Sequence, residues 1–502
     1  MLVRSLSRVV ALCVALLAPA ASTALAQPGP YADVSPIPQT PALNRAVETL
    51  EVINSGDPHK VKQFVDSAFG GALKSDFPMS AHLEQFDEAH RSSGRLVARF
   101  ARTYTPPRPD NQAVLIVWNE LEEEWRAITV TVEEQPPHLI TGIGFVGARW
   151  PTGVPPEPAL DEAGVVRELR AYVDRMVKAD RFSGAVLLAR NGKPLLTMAA
   201  GIANRDFDAP VKLDTKFNLG SMNKMFTGCA IMKLVEQGKL SLDDPISKYL
   251  DDSWMPQVDK SKVLVKHLLT HTSGLGSYFN DVYERSSRLL FREVEDYKPL
   301  VEGETLAFEP GTQWAYSNTG MLIAGAVIEK ASGVDYFEFI RREVTGPAGM
   351  TSTDCYELDR VNPNLAVGYQ RVSTPDGVIW RNNIYDHVMR GGPAGGGYST
   401  VEDLLRFDQA LRTNAILSAA GMEQLWSTHP ELSSPDYALG FGVDEGPWGR
   451  RVGHSGGFVG ISSILDMYLD TGWTVAVMSN YGGVASSVAR KAAALLERVP
   501  RE

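Results

Sequence analysis

A serine and a lysine stand three apart in Ser221-Met222-Asn223-Lys224; Tyr316-Ser317-Asn318 follows far downstream, and His454-Ser455-Gly456 later still. On a helix, positions i and i+3 share one face a turn apart, so an amine at 224 can take the proton of a hydroxyl at 221. Phe217-Asn218-Leu219-Gly220 leads into Ser221, and the apolar stripe Met225, Phe226, Cys229, Ile231, Leu234 and Val235 continues to Gly238, which ends the helix. Ser221 therefore falls at a helix N-terminus. Serine is an ordinary N-cap there. A cap, however, has no need of a lysine one turn later, and a cation at that end of a helix is electrostatically unfavourable. Buried, Lys224 would have a lowered pKa and could act as a base. The N–H groups of that first turn would stabilise an oxyanion.

Tyr316 lies after the Pro310-Gly311 turn and before a helix expected over Met321–Lys330, so Tyr316-Ser317-Asn318 reads as a loop. Tyr278-Phe279-Asn280 has the same Y-x-N spacing. The bland reading of either tyrosine is a packed ring with a bonded hydroxyl. His454-Ser455-Gly456-Gly457 ends one expected strand and turns into the next. Gly453–Gly457 also fits the pattern G-x-S-x-G, but an α/β-hydrolase places its histidine after the serine, and none follows Ser455. His267 and His271 are four apart, yet Leu268 stands where a zincin has glutamate, so they read as structural histidines at a helix end. His59, His82, His90 and His138 show no metal-ligand spacing. The glycine run Gly391–Gly397 lacks the P-loop lysine and reads as a turn lining a cleft, with Thr400 and Asp403 behind it as a helix N-cap pair.

These groups need a frame. The chain has 502 residues, 44% hydrophobic and 22% charged, ordinary globular composition with room for two or more domains. Residues 1–26 read as a signal peptide: Arg4 and Arg8, an apolar run Val9–Ala21 too short to span a bilayer, and the small-residue site Ala24-Leu25-Ala26. Cleavage near Ala26 predicts a periplasmic or secreted protein with no membrane span. The net charge of −11 excludes a nucleic-acid partner. Cys229 and Cys355 read as unpaired thiols.

Residues 27–40 read as a flexible segment. Residues 41–145 put helical patterns (Ala42–Ile53, Pro58–Phe69, Ala81–His90) before strand-like runs (Arg95–Thr105, Ala113–Asn119, Trp125–Glu133, His138–Phe145), which predicts a small α+β domain. Its texture resembles the nuclear-transport-factor-2-like fold, and the expected role is a spacer or a homodimerisation module. Residues 146–159 form a Pro-rich linker. Residues 160–502 then open with a helix (Asp161–Ala179) and a hairpin, Gly184–Arg190 and Lys193–Ala200, turning at Asn191-Gly192. A mostly helical middle runs from Asp214 to Leu417. Strands return at Leu439–Val443, Arg450–His454, Ile461–Tyr468 and Trp473–Ser479, and a helix covers Val484–Val499. Strands at both ends predict one antiparallel sheet flanked by helices, again α+β.

Five stretches in order, Ser221–Lys224, His271-Thr272-Ser273-Gly274-Leu275, Pro310–Asn318, the glycines near Gly395 and His454–Gly456, make this chain similar to the serine β-lactamase and penicillin-recognising hydrolases. That family includes class C β-lactamases, D-alanyl-D-alanine carboxypeptidases, D-aminopeptidases and family VIII carboxylesterases. The resemblance covers roughly residues 160–500 and implies a β-lactamase-like fold. It implies an acyl-enzyme on Ser221, with Lys224 and Tyr316 sharing the proton work and Tyr316 chosen over Tyr278. The oxyanion would sit between the backbone N–H groups of Ser221 and Gly457, with Asn318, His454, Ser455 and Gly456 binding the substrate. No metal or organic cofactor is implied. His454 replaces the lysine of many members; if it binds a substrate carboxylate as a cation, activity on acidic substrates should fall as pH rises. The expected substrate is a small ester, amide, D-amino-acid peptide or β-lactam. The alternative is a penicillin-binding or cell-wall sensor that acylates with little turnover.

Overall fold

The computed structural model describes residues 29–374 and 377–501, and the chain splits into two compact units, one running to Pro158 and taking in the short stretch 373–378, the other holding the rest from Ala159 onward. The expected signal peptide lies outside the described residues. In the first unit, strand β1 (Tyr31–Val34) precedes helices α1 (Pro41–Ser55), α2 (Pro58–Ala68), α3 (Gly71–Asp76) and α4 (Met79–Ser93). Thr40 caps α1 through Leu43 N, and Asp57 caps α2 through His59 N, each with proline at the first helical position. Strands β2 (Leu96–Tyr104), β3 (Gln112–Asn119), β4 (Glu124–Val132) and β5 (Ile140–Gly147) complete an antiparallel sheet in the order β1-β2-β3-β4-β5. Helices before strands is the expected order. The segment expected to be flexible is instead the edge strand β1, paired along β2 from Tyr31–Tyr104 to Val34–Ala101. The linker also begins later than its composition suggests. Asp33 accepts from Thr152 N at 2.8 Å and is ion-paired to Arg102 at 2.8 Å, and Tyr31 donates to Trp150 O. Residues up to Thr152 thus belong to this unit, because a buried aspartate and its partners hold them.

The second unit opens with α5 (Glu162–Lys178), capped by Asp161, then β6 (Gly184–Arg190) and β7 (Lys193–Ala200). Asn191 and Gly192 both have positive φ, 49° and 75°, the conformation that joins tightly turned hairpin strands. Two short strands, β8 (Ile202–Asn204) and β9 (Ala209–Pro210), pair with each other. Strand β10 (Phe217–Asn218) leads to α6 (Asn223–Glu236), and α7 (Asn318–Ser332) follows after short helical turns. The middle of this unit is not wholly helical: β11 (Tyr369–Thr374) and β12 (Gly377–Asn382) form a hairpin, and β13 (Tyr398–Ser399) pairs with β10. A two-residue strand leaves no periodic trace, and its partner lies far along the chain. Helix α8 (Val401–Arg412), strands β14 (Gly442–Gly446), β15 (Gly449–Phe458), β16 (Ile461–Tyr468) and β17 (Trp473–Ser479), and helix α9 (Val484–Glu497) close the unit. Thr400 caps α8 through Asp403 N, as expected.

The main sheet runs β14-β15-β16-β17-β6-β7, antiparallel throughout. The chain's last strands meet its hairpin at Ala476–Leu187. Ala185, Leu187 and Ala189 join the core around α6, α7 and α8; Val186 and Leu188 point to the other face and are just as buried. That is why β6 reads as an unbroken apolar run. Helices α5 and α9 pack on each other and α9 lies against β16 and β17. Two expected strand limits move. Strand β14 starts at Gly442, after a turn at Gly440, and β15 continues straight through His454 to Phe458, paired with β16 as far as Phe458–Ile461. The turn expected after His454 falls at Gly460 instead, because the paired backbone of β16 carries the glycines along as strand.

Candidate active site

Ser221 sits in a single 3-10 turn, Gly220–Met222, that feeds α6. It is not an N-cap: no side chain caps either the turn or α6. Four contacts fix the turn. Ser463 Oγ donates to Leu219 O at 2.7 Å, Leu219 N to Gly397 O at 2.7 Å, Gly396 N to Gly220 O at 3.2 Å, and Asn218 Oδ1 accepts from Gly220 N at 2.8 Å. Gly220 has φ 50°, and a Cβ there would lie 2.8 Å from Gly457 N. Strand β15 therefore passes directly against the turn, which only glycine permits. Strand β14 pairs with β15 no further than Gly453, so residues 454–458 have β16 on one edge and no strand on the other.

Helix α6 is buried almost all round, and Lys224 with it, at 0% exposure. Its Nζ lies 3.0 Å from Ser221 Oγ, 2.9 Å from Asn318 Oδ1 and 2.6 Å from Ala394 O. Burial drives its pKa well below the ordinary lysine value. A neutral amine has two N–H donors and one lone pair. The two acceptors, Asn318 Oδ1 and Ala394 O, use both donors. The lone pair is left facing the Ser221 hydroxyl. Tyr316 is 39% exposed, yet its hydroxyl turns in toward that of Ser221. Burial pushes its pKa up to about 12, partly offset by the neighbouring Ser221 hydroxyl, so the phenol stays protonated. Lysine Nζ also lies over the tyrosine ring, 4.8 Å from its centroid. Asn318 is the first residue of α7, behind the N-cap Ser317, and its Nδ2 donates to Ser277 Oγ at 3.3 Å. The decoy Tyr278 is 7% exposed and packs edge-on to Tyr297.

His454 departs from the expected cation. Its Nδ1 lies 2.5 Å from Ser455 O, so it carries the proton, and its Nε2 accepts from Tyr437 Oη at 2.8 Å. Both ring nitrogens are spent within the protein. Desolvation, with Lys224 nearby, lowers its pKa to about 3, which makes it a neutral imidazole at physiological pH. Ser455 is exposed and Gly456 buried on β15, and a Cβ on Gly456 would lie 1.8 Å from Leu219 O. The structure thus gathers Ser221, Lys224, Tyr316, Asn318, His454 and the Gly456-Gly457 backbone around one cleft.

Three participants escape sequence reasoning. The Ala394 carbonyl is one, and the glycine run serves Lys224 and the serine turn rather than merely lining a cleft. Tyr437 lies in what reads as loop. His271 is structural, as its spacing suggests, but it stands in the site: its Nδ1 accepts from Ser317 N at 3.2 Å, and its ring lies 4.4 Å from Tyr316 and 4.6 Å from Tyr437. Burial lowers its pKa strongly, so it too is neutral. The sequence signal available for it was the His271–Leu275 stretch. Cys229 and Cys355 are free thiols. Among the described residues no histidine, cysteine and carboxylate cluster could hold a metal ion, and no helix is long and apolar enough to cross a membrane.

Residues 169–499 match the family Beta-lactamase. Penicillin-binding protein 4* of Bacillus subtilis is 32% identical over 331 residues, 62% of this chain and 71% of that protein. Esterase EstB of Burkholderia gladioli is 32% identical over 320 residues, 56% of this chain and 80% of the esterase. Among solved structures, a penicillin binding protein from Bacillus halodurans superposes with TM-score 0.58 at 29% identity, covering 67% of this chain and 99% of that one. A D-stereospecific amidohydrolase from Streptomyces gives TM-score 0.54 at 26% identity, covering 66% and 98%. With the family match spanning most of the second unit and the serine, lysine and tyrosine meeting in its cleft, the chain belongs to the Beta-lactamase family of serine hydrolases.

Proposed function

We propose that this chain is an exported hydrolase that cleaves a small ester or amide through an acyl-enzyme on Ser221. The observation that carries this reading is the environment of Lys224: a fully buried amine within hydrogen-bond distance of Ser221 Oγ and of two fixed acceptors, Asn318 Oδ1 and Ala394 O. Lys224 takes the proton as Ser221 Oγ bonds to the substrate carbonyl carbon. The backbone N–H groups of Ser221 and Gly457 receive the oxyanion. Tyr316, a protonated phenol in the resting site, relays that proton to the departing alkoxide or amine as the carbonyl re-forms. Water then repeats the sequence and releases the acid. The opposite directions in which Lys224 and Tyr316 shift favour the lysine as resting base.

Substrate classes suggested by its relatives' names are esters, amides cleaved with D-stereospecificity, and penicillins. Export rests on the leader-like residues 1–26, and residues 41–145 act as a spacer or homodimerisation module, a role that deletion within the full chain tests. Intact-mass analysis after a fluorophosphonate or p-nitrophenyl butyrate pulse should show one adduct, on the Ser221 peptide, absent in Ser221→Ala. An adduct that persists in that variant defeats the assignment. A sensor that acylates without turnover would release one equivalent of p-nitrophenol and stop, whereas a hydrolase continues.

A further inference from the structure

Two aromatic rings flank the cleft that the acyl-transfer steps do not need. Phe279 lies two residues beyond Ser277, the hydroxyl bonded to Asn318, and Phe458 directly follows Gly457 on β15. Their rings stack with centroids 5.7 Å apart and planes 29° apart, and His387 adds a third ring 5.6 Å from Phe458. Phe279 is 40% exposed, an apolar ring left open to water. The apolar surface continues outward. Met389 N and Arg390 N donate to Arg288 O and Phe291 O, so the segment after His387 is tied to the turn carrying Leu289 and Leu290, which are 62% and 63% exposed.

The charge inside the cleft points the same way. Both nitrogens of His454 are engaged by Tyr437 and Ser455. The donors of Lys224 are used by Asn318 and Ala394. The ionisable neighbours acting on His271 and His454 include one basic side chain, Lys224, and no arginine. His387 is held neutral by burial, its pKa lowered to about 4. A carboxylate entering here would lose its hydration, which is costly, and Arg288, whose guanidinium stacks on Tyr283 beside Phe279, is already engaged by Glu284 and by the Tyr283 and Ser286 carbonyls. An apolar group would trade water for aromatic surface, which is favourable.

We propose that the cleft selects substrates whose acyl group is uncharged and apolar, lying against the stacked Phe279 and Phe458. This rests on the acyl-enzyme reading at Ser221 and deepens it by naming the acyl class. The test uses the full chain and a size-matched pair, p-nitrophenyl valerate and mono-p-nitrophenyl glutarate, in which a methyl is exchanged for a carboxylate. At pH 7.5, kcat/KM should be at least about 30-fold higher for the valerate ester. Phe279→Ala and Phe458→Ala should each lower the ratio of kcat/KM for p-nitrophenyl phenylacetate over acetate by about tenfold. Equal or faster turnover of the glutarate ester overturns the proposal, as does an unchanged phenylacetate-to-acetate ratio in both variants. If a variant fails to fold, the charge pair on the unaltered protein still decides. Ester turnover that persists in Ser221→Ala would sink the acyl-enzyme reading itself; turnover that needs Ser221 but ignores acyl charge and size sinks only this inference.

Discussion

Lys224→Met should make the protein inactive and, near neutral pH, more stable. The amine is fully buried with no carboxylate beside it, and its pKa is driven well down by desolvation. Holding neutral at pH 7 an amine whose ordinary pKa is about 10.4 costs roughly 4–5 kcal/mol, at 1.36 kcal/mol per pH unit. Methionine keeps the apolar stem and removes that cost. It leaves two acceptors, Asn318 Oδ1 and Ala394 O, without their donor, at about 1 kcal/mol each. The net gain at pH 7 is then about 2–3 kcal/mol, or roughly 3–4 °C in Tm for a unit of this size. The pH dependence gives the sharper check. With the folded pKa below the unfolded one, the unfolded chain binds the extra proton across the interval between them, so native stability rises with pH there. The variant lacks that slope. Its advantage should shrink as pH rises and change sign near about pH 9, where the remaining proton cost equals that of the stranded acceptors. Calorimetric Tm values from pH 6 to 10 would show the crossing, and ester kcat/KM should fall by about 10³-fold. A variant that melts lower by the same amount at every pH would mean that Lys224 is a cation in the native state, and the lysine-base reasoning would fall with it.

Two further outcomes follow from the same geometry. Tyr437→Phe removes the hydroxyl that donates to His454 Nε2, so the imidazole should titrate at higher pH in the variant, whereas in the unaltered protein NMR should show it neutral from about pH 5 to 9. A wild-type His454 titrating near its ordinary value of about 6.5 would refute the neutral assignment. On β15, a Cβ at Gly456 would lie 1.8 Å from Leu219 O, while one at Gly457 meets nothing within 4 Å. Gly456→Ala should lose about 100-fold or more in kcat and melt several degrees lower, and Gly457→Ala should melt within about 1 °C of the parent. Full activity in Gly456→Ala would show that β15 does not abut the serine turn.

Local rules made much of this protein legible. Asn191-Gly192 between two apolar runs gave the hairpin, because both positions must take positive φ. Asp161 and Thr400 marked helix starts through their caps. Ser221 and Lys224 share a helical face by spacing alone, and their separation in the fold is 3.0 Å. The choice of Tyr316 over Tyr278 needed the family's order of motifs, since spacing was the same for both.

What only the folded molecule decided concerns groups brought together from distant parts of the chain. Strand β1, the pairing of β10 with β13 and the continuation of β15 past His454 depend on partners that no local pattern encodes. The Ala394 carbonyl is a backbone group and has no signature in sequence, yet it takes one of the two protons of the Lys224 amine. The charge of His454 was set by its surroundings: residue type left it free to be a cation, and burial, with Lys224 nearby, made it neutral. Residue type and spacing determine which chemistry is available, because they fix the functional groups and their local faces. Protonation state and substrate class depend on desolvation and on neighbours in space, and those exist only once the chain has closed around them.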